Sequence, residues 1–307
     1  MIESEVCVAE EKAEATYTLL PRPPRFLLGR SPVDRISMEY AALLVTEVLL
    51  HRGELPPLTI VGPNAHLVNL AEHDDRFAEA MQAADLAVPD GVSVVMASRL
   101  LGVPIPERVP GGDLMERMCA ESAHYGFRVF FLGGLPGAAL MAAHNLKLRY
   151  PGLTICGTSC PPLGFEKNPV ELAHILDEVN TAAPDLLCVA FGAPRQEIWM
   201  QENRGKLRVG AILPVGAALD TQAGLRRRAP KWTQMLGMEW FFRLAMEPTR
   251  LWRRYLIGNT KFIGLVLRQW AQERIGAVQR MSKRAAANRT AGNRASENPA
   301  EAPGHGD

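Results

Sequence analysis

Asp90 is the carboxylate whose position in this 307-residue chain best suits chemistry. It lies between Pro89 and Gly91, directly after a short apolar run that reads as a strand. At such a strand end the side chain would project into a cleft and could act on a bound ligand. The alternative is an Asx-type turn or a helix cap, and spacing alone leaves both interpretations open.

Three other polar side chains follow predicted strand ends: Asn64, Gln196 and Asp220. Asn64 comes after Gly62 and Pro63, where the commoner role of asparagine is to cap a helix. Asp220 follows an apolar run and could either cap a helix or bind a ribose hydroxyl. Gln196 closes the run Gly-Ala-Pro-Arg-Gln after another strand.

Gly133 and Gly134 follow a further strand, where glycines let backbone amides approach a phosphate at a helix N-terminus. The signal is weak, because many such glycine turns are only tight connections. The chain has no GxxxxGK[ST] run, which excludes a P-loop, and these glycines lack the GxGxxG spacing of a dinucleotide fingerprint.

Positive charge is concentrated late in a chain whose formal net charge is only +1. Residues 226–284 hold fourteen basic and three acidic residues, interleaved with tryptophans and aliphatic side chains. Such a stretch favours an anionic partner, which could be nucleic acid, a membrane surface or a phosphorylated substrate; a solvated charged face is the plain alternative.

Within that stretch Arg243, Arg250 and Arg254 have offsets of seven and eleven, which would align them on one side of a continuous helix. Pro248 more naturally opens a second helix. Arg253 lies off that line but follows Trp252 directly.

Composition indicates an ordinary globular protein, with 47% hydrophobic and 22% charged residues. The five cysteines form no CxxC pair, which favours free thiols in a reducing compartment. The histidines show no metal-ligand spacing, so no structural metal site is expected. No targeting segment is recognised, so we expect a cytoplasmic protein whose membrane contact, if any, is peripheral.

Apolar runs ending in glycine or proline alternate with amphipathic segments from Ser37 onward. Strands are predicted at 58–61, 86–88, 128–132, 153–156, 186–190 and 211–215, and helices at 65–83, 170–181, after Gly134 through Arg149 and after Pro194. Short apolar strands without strict alternation are typical of a parallel sheet covered on both faces. We therefore expect a doubly wound, mostly parallel, Rossmann-like α/β fold.

Four regions are predicted from these patterns. Residues 1–30 are predicted to form a flexible arm, 31–228 an α/β domain that carries the strand-end candidate residues, and 229–284 a basic helical appendage. Residues 285–307 lose apolar periodicity and read as a disordered tail.

Several ordered motifs resemble the WecG/TagA/CpsF glycosyltransferases, glycosyltransferase family 26, over roughly residues 32–263. The run Asp85–Gly91 resembles that family's "ADLVLPDG" signature. The other matching motifs are Phe131–Gly134 with Pro136-Gly137, Pro161-Pro162 with Gly164-Phe165, Gly192–Glu197, Ala229–Trp232, Glu239–Leu244 and Glu247–Arg250.

The resemblance implies inverting transfer of a sugar from a UDP-sugar to a polyprenyl-diphosphate-linked acceptor in the synthesis of surface polysaccharide, with no metal or other cofactor. N-acetylmannosamine, its uronic acid, glucose and glucuronic acid all remain candidate donors. Apolar and aromatic residues beside arginines in the late basic stretch favour an interface with anionic lipid, so we expect peripheral attachment to the inner face of the membrane. A homo-oligomer remains open.

The resemblance also assigns roles. Asp90 matches the proposed catalytic base; Asn64 and Gln196 match polar residues of the same cleft. Phe165 and Asp220 match positions near the uridine. Arg243, Arg250 and Arg253 match arginines of an appendage that closes over the site.

One departure is Gly62, where many members have threonine, which puts the sugar contacts in question. Two other functions compete with the resemblance. A nucleic-acid-binding protein would use the basic stretch but lacks a recognised module, and a Rossmann-type oxidoreductase lacks the dinucleotide fingerprint.

Overall fold

The computed structural model describes residues 20–53, 56–227, 229–230, 233, 239–246, 248–252 and 257–276. A two-stranded antiparallel hairpin (β1, Arg25–Leu28; β2, Ser31–Asp34) precedes a six-stranded sheet. The sheet strands are β3 (Leu58–Val61), β4 (Leu86–Ala87), β5 (Arg128–Gly133), β6 (Thr154–Ser159), β7 (Leu186–Ala190) and β8 (Ala211–Pro214). They lie in the order β4-β3-β8-β7-β5-β6, and every pairing among them is parallel.

Helices cover both faces of this sheet. The main helices are α1 (Met38–Leu50), α2 (Ala65–Ala71), α3 (Asp75–Gln82), α4 (Val92–Leu100), α5 (Gly111–Tyr125), α6 (Ala138–Arg149), α7 (Pro169–Ala182), α8 (Arg195–Asn203) and α9 (Ala218–Gln222). Buried residues of α1, α5, α6 and α9 form one core with alternate strand residues. Those of α7 and α8 form a second core with residues of β5, β7 and β8, and those of α2 and α3 pack with Val61 and Ala87. The doubly wound α/β fold expected from the sequence is therefore confirmed.

Two differences from the expected elements have local causes. The single helix expected at 65–83 is two helices, because the Asp74 carboxylate caps α3 by accepting from the N–H of Phe77 (3.0 Å). The hairpin strand β1 lies inside the segment expected to be an arm. It is held by buried Asp34, which accepts from Arg25 Nε (2.7 Å) and from the N–H of Ala87 in β4 (2.7 Å).

Beyond the sheet the described residues are helical, as expected. They form α10 (Glu239–Met246), α11 (Pro248–Trp252) and a helix over 258–276. Pro248 opens a second helix, so Arg243 and Arg250 do not share one continuous helix. No helix among the described residues is long and apolar enough to cross a membrane.

The 258–276 helix is packed against the α/β domain. Phe262, Leu265 and Val266 are buried with residues of the hairpin, α2 and α4. Gln269 bridges the hairpin, since its amide nitrogen donates to Leu27 O (2.9 Å) and its oxygen accepts from Gly29 N (3.0 Å). Part of the region expected as an appendage thus shares a core with the α/β domain.

Candidate active site

The carboxyl ends of the adjacent strands β3 and β4 bring Asn64 and Asp90 together. Each residue lies three positions beyond its strand, and because the strands are parallel their ends reach the same edge of the sheet. Asn64 Nδ2 donates to Asp90 Oδ2 (3.3 Å), and the N–H of Asp90 donates to Pro63 O (3.1 Å). The two loops are therefore joined by backbone and side chain.

Asn64 uses both ends of its amide. Its oxygen caps α2 by accepting from the N–H groups of His66 (3.1 Å) and Leu67 (3.2 Å), which is the common role expected for asparagine. Its nitrogen is left to face Asp90. Asn64 therefore caps α2 and contacts Asp90 at the same time.

Asp90 is half-buried at the same edge. The helix that follows it, α4, has Gly91 as its N-cap residue and no side-chain capping bond. A half-buried carboxylate fixed by an amide is suited to accept a proton from a hydroxyl.

Gly62 leaves space beside this pair. A Cβ added there would lie 3.4 Å from Asp90 Cβ and 3.9 Å from Asp90 Oδ2, which is ordinary van der Waals contact. The missing side chain therefore leaves a gap directly next to the carboxylate.

A cavity of about 560 Å³ opens at the carboxyl ends of β5, β6 and β7. Its lining includes Gly133, Gly134 and Phe165, together with Cys160, Phe191 and Arg195. Phe165 packs against Phe191 (ring centroids 5.0 Å apart) and Trp199 (6.2 Å). This aromatic wall suits a planar ligand.

Gly133 is required by the close approach of strands β5 and β7. Its φ is +100°, and a Cβ there would lie 2.8 Å from the carbonyl oxygen of Ala190. The N–H of Gly134 donates to that same oxygen (3.0 Å), so it is already used within the protein.

Asp220 lies behind the Gly134 loop. It is buried, accepts from the N–H of Leu135 (2.8 Å) and pairs with Arg226 Nε (3.1 Å). The carboxylate therefore orders a loop of the cavity, and neither sequence interpretation anticipated this contact.

Gln196 is also buried, on the first turn of α8. Its oxygen accepts from the N–H of Gly192 (3.2 Å) and its nitrogen donates to Glu197 Oε1 (2.7 Å). Of the arginines expected in the appendage, Arg243 and Arg250 are described only as backbone within α10 and α11, and Arg253 lies outside the described residues.

Sequence reasoning missed Arg108 and Glu197. The N–H of Val109 donates to Pro89 O (2.8 Å), so the segment carrying half-buried Arg108 runs beside Asp90. Arg108 follows a loop and no strand, so a search confined to strand ends passes over it. Glu197 directly follows Gln196, and only its burial distinguishes it from a surface carboxylate.

The chemistry available at this edge is acid–base and electrostatic. Asp90 can accept a proton, and guanidinium groups such as Arg108 can stabilise anionic oxygens. Across the part of the chain that the structure describes, no cluster of three or more His, Cys, Asp or Glu side chains could hold a metal ion.

Comparison with known proteins identifies the relatives of this architecture. Residues 26–276 match the model of the glycosyl transferase WecG/TagA/CpsF family. A Bacillus spizizenii protein named N-acetylglucosaminyldiphosphoundecaprenol N-acetyl-beta-D-mannosaminyltransferase is 31% identical over 209 residues, which cover 68% of this chain and 78% of that protein. A Staphylococcus aureus (strain MW2) protein of the same name is 30% identical over 211 residues, with the same coverage of both chains.

Proposed function

The chain belongs to the WecG/TagA/CpsF family and is a glycosyltransferase, and from that premise we propose that it moves a sugar, with inversion, from a UDP-sugar to a polyprenyl-diphosphate-linked acceptor. The curated relatives are named for an acceptor of this kind, N-acetylglucosaminyldiphosphoundecaprenol. The product would be an intermediate of a surface or exported polysaccharide.

The observation that carries this proposal is the Asp90–Asn64 pair on the same sheet edge as the aromatic cavity. In the strand order, β4 is separated from β7 and β5 by three and four inter-strand spacings, or roughly 14 to 19 Å. A nucleotide in the cavity would direct its diphosphate and sugar along the edge toward Asp90. Asp90 would then take the proton of the acceptor hydroxyl as the new bond forms.

Departure of the diphosphate needs positive charge, and we assign this role to Arg243, Arg250 and Arg253. Their segment is tied at both ends to the described domain. Thr233 is buried before it, and after it Asn69 Nδ2 of α2 donates to Gly258 O (2.7 Å). Planar guanidinium groups suit the oxygens of a departing diphosphate. Transfer would then need no metal ion.

The 258–276 helix supports peripheral attachment to the inner face of the membrane. Its buried face packs on the domain, while Ile263 and Leu267 are 56% and 50% exposed on the other side. Lys261, Arg268 and Arg274 lie on the same helix. Exposed aliphatic residues beside basic ones favour the surface of an anionic bilayer, where the lipid-linked acceptor resides.

The donor sugar is tested by a screen. UDP-linked N-acetylmannosamine, N-acetylmannosaminuronic acid, glucose and glucuronic acid are each incubated with a polyprenyl-diphosphate-linked N-acetylglucosamine, and the lipid product is read by mass spectrometry. We expect N-acetylmannosamine to be transferred first, because both named relatives use that sugar. The absence of any glycosylated lipid with a broad panel of acceptors would contradict the proposal, and reactions without acceptor control for donor hydrolysis.

A further inference from the structure

Glu197 is a buried carboxylate with no role in the proposed transfer so far. Its side chain is 2% exposed, on the first turn of α8. Oε1 accepts from Gln196 Nε2 (2.7 Å), whereas Oε2 is buried without a hydrogen-bond partner among the described residues. Keeping a carboxyl group in this environment costs stability, since buried polar atoms are normally paired.

The hydrogen bond from Gln196 Nε2 to Glu197 Oε1 helps to fix the orientation of the Gln196 amide. The side-chain oxygen of Gln196 accepts from the N–H of Gly192, and the backbone N–H of Gln196 donates to Gly192 O (3.1 Å). The side-chain nitrogen of Gln196 is held by Glu197. If that acceptor were lost, rotation of the amide would cost less and its bond to Gly192 would weaken.

The Gly192 turn in turn shapes the cavity. Phe191 immediately precedes it and packs edge-on against Trp199 (ring centroids 5.3 Å). Arg195 follows it, lines the cavity and donates through Nη2 to Phe191 O (2.9 Å). The two cavity residues that flank this turn therefore depend on the geometry of Gly192.

We propose that Glu197 is a positioning residue of the donor site: it fixes the Gln196 amide, and through it the turn that carries Phe191 and Arg195 into the cavity. The proposal rests on the proposed function for the identity of the ligand. The ordering of the turn rests only on the contacts around Glu197.

The first test needs no activity. Hydrogen–deuterium exchange of peptides covering residues 190–196 is compared among the wild type, Glu197→Ala and Glu197→Gln. Glu197→Ala is expected to speed exchange of the Gly192 region by about tenfold, an opening of the local structure. Glu197→Gln keeps an oxygen acceptor of the same size and should restore protection. Glu202→Ala on the same helix, which loses an exposed ion pair with Arg76, should leave this region unchanged.

The second test is kinetic and uses the donor identified by the screen. Glu197→Ala should raise KM for the UDP-sugar by about tenfold with a smaller change in kcat, because ground-state binding is what the turn supplies. Glu197→Gln should stay within about threefold of the wild type. Unchanged exchange and an unchanged donor KM in a folded Glu197→Ala protein would overturn the proposal, as would a Gln variant as impaired as the Ala variant. An inactive wild type with altered exchange in Glu197→Ala would instead count against the proposed function alone.

Discussion

Asn64 shows how one side chain can stabilise an element and serve a site. The oxygen of its amide caps α2, and the nitrogen binds Asp90. The two roles use different atoms, so substitutions can separate them. An aspartate at position 90 held in this way keeps one orientation relative to the cleft.

We predict that Asn64→Ser retains stability but loses most of the transfer activity. Serine caps helices nearly as well as asparagine, but its hydroxyl is too short to replace the amide donor to Asp90. Asn64→Ala should lose activity as well and also about 1 kcal/mol of unfolding free energy. Urea denaturation and initial rates measure the two effects, and full activity in the serine variant would show that the contact with Asp90 is dispensable.

Glu197 predicts a pH dependence of stability. Burial raises its pKa from 4.5 to about 7, against the lowering effect of hydrogen bonds from Gln196 and its own N–H. Between these two pKa values the unfolded chain has lost the proton while the folded protein still holds it. The free energy of unfolding therefore falls as pH rises through this window, and it becomes constant above the folded-state pKa. Relative to the wild type, Glu197→Gln should therefore gain stability between about pH 5 and about pH 8.

Urea denaturation at both pH values measures this difference, with Glu202→Gln as the exposed control on the same helix. A stability difference between Glu197→Gln and the wild type that does not change with pH would mean that Glu197 is already ionised in the folded protein.

At the scale of elements, the 258–276 helix has buried apolar residues on one side and exposed apolar residues on another. Phe262 is 4% exposed and packs with Leu28, Val68 and Val94, whereas its neighbour Ile263 faces outward. The helix is therefore anchored by one side and presents the other.

These neighbours provide a matched pair of substitutions. Phe262→Ala should cost roughly 3 kcal/mol or more of stability, because it leaves a cavity in a packed cluster. Ile263→Ser should leave the melting temperature almost unchanged and weaken binding to anionic phospholipid vesicles in a flotation assay. Equal vesicle binding by Ile263→Ser and the wild type would indicate that this face does not contact lipid.

At the scale of the whole molecule, the order of the strands separates the proposed base from the aromatic cavity. Asp90 follows β4 at one side of the sheet, and the cavity lies at β5, β6 and β7. In the proposed function, contacts with the nucleotide and with the acceptor hydroxyl would come from different strands and should be separable by mutation.

We predict that Asp90→Asn abolishes transfer while UDP still raises the melting temperature as in the wild type. The amide cannot accept the proton, but no part of the cavity lining is changed. Thermal shift with UDP and product formation measure the two properties, and Asp75→Asn, an exposed change on α3, is the control. Turnover at the wild-type rate would remove Asp90 from the mechanism.

Much of the fold follows from local patterns. Strands β3, β5 and β7 lie where short apolar runs end in glycine or proline, and α7 begins at the Asn-Pro signal of residues 168–169. The boundary between α2 and α3 was missed, because the apolar periodicity continues through it while the Asp74 cap interrupts the backbone. The strand-end residues were found by the same reasoning, but their partners were not.

The amino-acid sequence by itself determined the α/β alternation, the strand-end positions of Asn64 and Asp90, and the family motifs. These depend on neighbours within a few residues, so local hydrogen bonding and side-chain periodicity are enough to reveal them. Only the tertiary structure decided that Asn64 and Asp90, 26 residues apart, share a hydrogen bond, that Asp220 orders the Gly134 loop, and that the 258–276 helix packs on the domain. Those contacts depend on the strand order and on which surfaces are buried together, and both are set by packing between segments far apart in the chain.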